Sequence, residues 1–295
     1  MFIGWLTCIP AVLLPHSLCR STTANAPANR QMPIASVVIA NFRKKKQNMK
    51  KHFKTLTDFL FMKTKKSKIA NYSILGLFVI YFAIISYPNF LFVYALNYKN
   101  FKVHSTQPLG DSIKKILDES ERKLSTSEIY NKKIIQNIYL CNNYSLYTFL
   151  TPLSRKAFAV NYPFINNIFI ANCNNDKNEA YKNDEKDNYI RQLSSLISHE
   201  TTHTYIETKI GFWKNRSLSD WKKEGYCDYV GCGQINNLEK TKKLLTENTN
   251  KYTAGSYYKR YYNAVNYLKK FEKMTIEEII STKLTLDEVL KKIEK

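Results

Sequence analysis

One stretch, Leu196 to Tyr229, constrains this 295-residue chain more than any other: LISHETTHTYIETKIGFWKNRSLSDWKKEGYCDY. It opens on His199-Glu200-Thr201-Thr202-His203, set in an apolar pattern with helical spacing. Residues four apart share a helix face, so the two imidazoles point at one place. Zn²⁺ accepts neutral imidazole nitrogens, and Glu200, one position along, is then placed to work on a water activated by that ion. A catalytic zinc site takes a third protein ligand and leaves its fourth position open. Glu224 follows His203 by 21 positions, enough to end one helix, turn, and begin another running back.

Together, H-E-x-x-H and the later Trp221-Lys222-Lys223-Glu224-Gly225, a W-x-x-E-G string, resemble the gluzincin metallopeptidases, notably the small minigluzincins and the thermolysin clan. The likeness spans roughly residues 130–295 and is sharp over 196–229. It implies that His199, His203 and Glu224 hold one Zn²⁺ and that Glu200 is the catalytic general base and acid. Thermolysin-like members also carry an aspartate four residues after the ligand glutamate, hydrogen-bonded to a zinc histidine, and Asp228 stands there. Glu224 and Asp228 share a helix face, and such a carboxylate orients a ligating ring through its other nitrogen. The alternative for Asp228 is a plain surface acid. Related peptidases often stabilise the oxyanion with a tyrosine or histidine. The cluster Tyr257, Tyr258, Tyr261 and Tyr262 supplies candidates, with core packing as the competing role; His104 lies too early in the chain.

The second constraint is the run from Asn71 to Tyr98, which carries no charge and lies between Lys68 and Lys99. About 20 apolar residues cross a bilayer as a helix, and a helix apolar all round is rarely a soluble core element. Tyrosines near both ends suit the bilayer interfaces, and Pro88 suggests a kink. The formal charge of +21 is uneven, with 13 Lys and Arg against Asp58 alone in residues 1–70. Because Lys63, Lys65, Lys66 and Lys68 adjoin the apolar run, they read as a topology signal that leaves the N-terminus cytoplasmic. No zinc-finger, RRM-like or basic-zipper pattern accompanies the charge, so nucleic acid is not an expected partner. The expected partners are a lipid bilayer and a peptide or protein substrate.

The expected organisation is therefore a basic, disordered cytoplasmic region over 1–70, a transmembrane helix over 71–98, and an extracytoplasmic metallopeptidase-like domain over 99–295. The first 48 residues read either as a signal peptide without a basic leader or as preceding a later start, at Met49 or Met62. Leu109–Leu124 suits a surface helix, and Lys133–Cys141, Lys156–Tyr162 and Asn166–Cys173 suit strands. In the resembled family the strand before the catalytic helix edges the cleft and pairs with extended substrate. Asn166–Asn172 is the candidate, with an ordinary sheet strand as the alternative. Residues 174–187 read as a solvated loop rather than calcium ligands, lacking the EF-hand order.

The catalytic helix is expected from about Asp187 to Lys209, ended by Gly211, and the glutamate helix is expected to be capped from Ser217–Asp220. Charged and aromatic helices should follow over 234–247 and 252–271. An extracytoplasmic compartment permits disulfides, Cys141 with Cys173 or Cys227 with Cys232, and zinc ligation by Cys227 or Cys232 is the lesser alternative because the histidine–glutamate set is already complete. The fold class expected is α/β (α+β): a small mixed sheet of three or four strands on a helical zincin body, preceded by the membrane helix. The function expected is a membrane-anchored zinc metallopeptidase. The alternatives are a tethered binding protein with a structural or vestigial site, and a latent peptidase whose cleft is plugged by 99–125 or 174–187.

Overall fold

The computed structural model describes the backbone of residues 65–182, 190–246 and 254–294, and side chains over 69–182, 190–243 and 259–294. The expectations for the basic N-terminal region up to residue 64 lie outside the described residues. Helix α1 runs Lys65–Ser86, followed by a 3-10 turn at Pro88–Leu91. Strands β1 (Tyr94–Tyr98) and β2 (Phe101–Ser105) form a hairpin, and α2 spans Ser112–Leu124. Then come β3 (Gln136–Leu140), α3 (Tyr144–Leu150), β4 (Ala159–Tyr162), β5 (Asn167–Ile170), β6 (Asn172–Asn174), β7 (Glu179–Tyr181) and β8 (Ile190–Gln192). Seven further helices complete the described chain: α4 (Leu193–Ile210), α5 (Phe212–Ser217), α6 (Asp220–Cys232), α7 (Leu238–Thr246), α8 (Ala254–Lys270), α9 (Ile276–Ser281) and α10 (Leu286–Glu294).

The chain divides into two units, residues 1–84 and 85–295. In the first, Ile69 begins a stretch of α1, reaching Ser86, that is long and apolar enough to cross a membrane, and almost none of it is buried. The helix stops at Ser86, twelve residues short of the expected Tyr98. Proline lacks an N–H and pushes the residue before it out of the helical region, and Tyr87 accordingly has φ −132° and ψ 61°. Pro88 therefore ends the helix instead of kinking it. Tyr94–Tyr98, expected in the span, is sheet.

The second unit is built on a five-stranded mixed sheet, ordered β1-β2-β3-β5-β4, larger than expected by the β1–β2 hairpin. Strands β2, β3 and β5 are parallel, and β1 and β4 are antiparallel edges. On one face Phe101, Val103, Ile138, Leu140, Ile168 and Ile170 meet Ile113, Ile116 and Leu117 of α2 and Leu196 and Ile197 of α4 in one core. Alternation sends Tyr139 and Phe169 to the other face, where their rings stack at 5.0 Å and Phe92 packs on Tyr139. The stretch 99–125 thus builds sheet and core and does not plug a cleft.

Asn166–Asn172 is not the sheet edge. Its ordered core, β5, lies between β3 and β4, which makes β4 the exposed edge. A near-continuous apolar run marks a strand buried on both faces, and NIFI on β5 is that pattern. Residues 172–181 form a β6–β7 hairpin, with 183–189 outside the described residues. Cys141, Cys173, Cys227 and Cys232 are all free thiols, so neither expected disulfide is formed.

Candidate metal centre

Two helices carry the chemistry, and small residues let them touch. Helix α4 packs its middle against α6, and a Cβ on Gly231 would sit 2.7 Å from the Ser195 carbonyl oxygen and 3.2 Å from the His199 Cβ. Glycine there lets α6 lie directly on the turn bearing His199. Gly225 serves the same purpose toward α8, where a Cβ would fall 2.5 Å from the Tyr261 carbonyl oxygen. Trp221 is buried, and Lys222 donates to the carbonyls of Ile280 (3.1 Å) and Thr282 (2.6 Å), tying α6 to the end of α9. Ser219 occupies the N-cap position of α6, though its side chain makes no capping bond. Gly211 ends α4 at φ 81°, a conformation that favours glycine.

The packing brings four sequence-derived residues together. His199 Nε2 and His203 Nε2 are 3.2 Å apart, and Glu224 Oε2 lies 3.4 Å from the first and 3.5 Å from the second. Asp228 Oδ1 sits 2.7 Å from His199 Nδ1. A carboxylate only accepts, so this contact puts a proton on Nδ1 and leaves Nε2 as the nitrogen that faces Glu224 and His203. Asp228 is 5% exposed and therefore not a surface acid.

Three neighbours were not apparent from the sequence. Arg191, on β8, donates from Nη2 to the same Asp228 oxygen at 3.0 Å. Cys227 Sγ lies 3.4 Å from His203 Nδ1, so consecutive residues of α6 attend the outer nitrogens of both imidazoles. Asn161 of β4 donates its side-chain amide to the Glu200 carbonyl and, at 2.8 Å, to Thr204 Oγ1. An arginine 37 positions from its aspartate, and a lone asparagine in a strand, carry no motif.

Electrostatics bind the cluster into one charged unit. Burial opposes charge on His199, but Asp228 on Nδ1 and Glu224 outweigh it and hold the imidazole's pKa up to about 10. Burial pushes the Glu224 carboxyl up, while His203 and His199 hold it well below the usual carboxylate range. Burial likewise opposes the Asp228 carboxylate, and His199 and Arg191 keep it ionised. The Cys227 thiol is driven well above its ordinary value by burial and by Glu224 and Asp228, so it stays protonated.

His199, His203 and Cys227 form a group able to hold a metal ion. Glu224 presents a fourth donor to the same imidazoles. Glu200 is 8% exposed, and no side chain among the described residues bonds its carboxylate. The tyrosine cluster fares differently. Tyr262 gives its hydroxyl to the Gly233 carbonyl at 2.9 Å, and Tyr261 packs against the core. The side chains of Tyr257 and Tyr258 lie outside the described residues. His104 stacks on Tyr139, on the face of the sheet away from the core.

No protein-family model matches the chain, and no curated protein matches it.

Proposed function

We propose that the chain is a membrane-anchored zinc metallopeptidase of gluzincin type, with His199, His203 and Glu224 as ligands and Glu200 as general base and acid. One observation carries this reading: the mutual separations of 3.2, 3.4 and 3.5 Å among the three donor atoms. Zinc takes nitrogen and oxygen ligands at about 2.0–2.2 Å, and in a tetrahedron such ligands stand roughly 3.3 Å apart. Helices α4 and α6 thus bring three donors to the spacing that a zinc ion would take.

A zinc ion held there supplies a lowered water pKa and polarisation of a peptide carbonyl. The chain's own residues supply the rest. Glu200, one position from a ligand and with a carboxylate that no side chain among the described residues bonds, takes the proton of the attacking water as its oxygen bonds to the carbonyl carbon. It then delivers that proton to the amine as the C–N bond breaks. Asp228, held by Arg191, keeps the Nδ1 proton in place and His199 oriented. The outer edge of β4, the last strand of the sheet among the described residues, pairs with an extended peptide, and Asn161 ties that edge to the turn carrying Glu200. Anchorage by α1, with the N-terminus cytoplasmic and the second unit outside, follows from its apolar length and the lysines before it.

A second reading has its own observation. The group of His199, His203 and Cys227 resembles a structural site of a tethered binding protein. Against it, Cys227 faces Nδ1 of His203, the nitrogen remote from His199 Nε2. Peptide hydrolysis by the wild type and its absence in Glu200→Gln, with metal retained in both, separates the two. Equal hydrolysis by both chains would remove Glu200 from its role.

A further inference from the structure

The end of α1 is bonded to β5, the strand beside the sheet edge nearest the candidate metal centre. Asn167, wholly buried on β5, donates its side-chain amide to the carbonyls of Ile85 (3.0 Å) and Ser86 (3.2 Å), the last two residues of the helix. These are last-turn carbonyls, which have no partner within a helix. Across the ladder Asn167 stands opposite Tyr162, the final residue of β4. One asparagine side chain, one hydrogen bond and one strand spacing put the Tyr162 backbone about 10 Å from the Ser86 carbonyl. One residue back along β4, Asn161 bonds the Glu200 carbonyl.

The surface beyond the helix end is apolar too. Tyr87, Phe90 and Val93 are 76%, 71% and 82% exposed. The 3-10 turn at Pro88–Leu91 brings residues three apart toward one side. No charge occurs from Lys68 to Lys99, and tyrosine next to an apolar helix suits the headgroup boundary.

We infer that the cleft is held at the bilayer surface and that its substrate is a membrane-anchored polypeptide, cut in an extended segment close to the lipid. The inference rests on the anchored-peptidase reading. The distance argument holds for any tilt of the domain. An edge strand about 10 Å from the helix end stands no more than about three extended residues further out than that end. A tethered substrate reaches a millimolar effective concentration only where its tether fits the span between anchor and site. Segments just outside the bilayer meet that condition here, and distant loops are diluted.

The test uses the full chain in nanodiscs of brominated lipid, comparing Phe164→Trp, in the turn after β4, with Val79→Trp, within α1, each against its parent. Cleavage is followed in parallel on anchored peptides whose cleavable segment lies next to the bilayer or about 30 residues out, and on the soluble peptide. A further variant carries a flexible spacer of about 20 Gly and Ser residues, roughly 25 Å, between Ile84 and Ile85. The expected result is quenching of both tryptophans and at least tenfold faster cleavage of the near segment. The spacer should erase the quenching at residue 164 and the preference while sparing the soluble peptide. Quenching at 79 without quenching at 164, or equal cleavage of near and far segments, overturns the inference. Quenching at neither overturns both the anchor and the inference. Quenching at both with no peptide cleaved overturns the peptidase reading alone and upholds the position of the cleft.

Discussion

The side-chain amide of Asn161 on the edge strand donates to the backbone carbonyl of Glu200. It also reaches Thr204 Oγ1, so one asparagine joins β4 to two successive turns of α4. Under the proposed reading, this side chain helps set the spacing between a strand-bound substrate and the Glu200 carboxylate. Asn161→Leu keeps the volume and removes the link. It should raise KM and lower kcat/KM by about tenfold, roughly 1.4 kcal/mol, while metal content stays at the wild-type level. Steady-state kinetics beside metal analysis reads both quantities, and unchanged kinetics would show that the link positions nothing.

Asp228→Asn leaves the shape of α6 but exchanges an ionised acceptor for a neutral amide beside His199 Nδ1 and Arg191. Loss of such a partner costs about 10–100-fold in metal affinity. Competition against a chromophoric chelator should give that loss. A change under twofold would mean that the aspartate serves only the packing of β8 on α6.

Gly231→Ala drives a methyl group onto the Ser195 carbonyl and the His199 Cβ. Overpacking of this kind costs about 1–3 kcal/mol. Because the displaced atoms carry a ligand, metal affinity should fall along with the denaturation midpoint. Gly76→Ala, where nothing lies within 4 Å, should change neither and serves as the control.

The hairpin is pinned by charge at its turn, where Lys99 meets Asp118 at 2.7 Å and also Glu121. Lys99 lowers both carboxyls, and they in turn raise its own pKa. Lowered carboxyls stabilise the fold above their ordinary pKa, near 4, and that contribution is lost as pH falls through the folded values. The lysine's share is present below its ordinary value, near 10.4, and fades only in more alkaline solution. Lys99→Met should lower the neutral plateau slightly and converge with the parent at low pH, which flattens the acid limb of a stability–pH profile measured by urea titration. An unaltered acid limb would assign it to other carboxylates.

The cluster of His199, His203, Glu224 and Asp228 was legible because its spacing is local: i and i+4 on one helix, then i and i+4 on the next. The strands over 136–140, 159–162 and 167–170 were legible for the same reason, as short apolar runs. What failed was pairing over distance. Strand β5 looked like an edge until β4 folded outside it, and nothing in NIFI says which neighbour it will have. The span was overextended because Phe92 and Tyr94–Tyr98 are apolar for the sheet's sake, and hydropathy does not separate that from lipid. Cys227 was read for a disulfide and set aside as a zinc ligand, whereas its contact with His203 arises only when α6 crosses α4.

The central claim is the identity of the third ligand, and metal content across three folded chains tests it most directly. Wild type, Glu224→Ala and Cys227→Ala would be purified with zinc, dialysed and assayed, with circular dichroism establishing that each is folded. The result expected is about one zinc per chain in wild type and Cys227→Ala, and none in Glu224→Ala. Zinc retained by Glu224→Ala and lost from Cys227→Ala would contradict the peptidase centre and leave a histidine–cysteine structural site in its place.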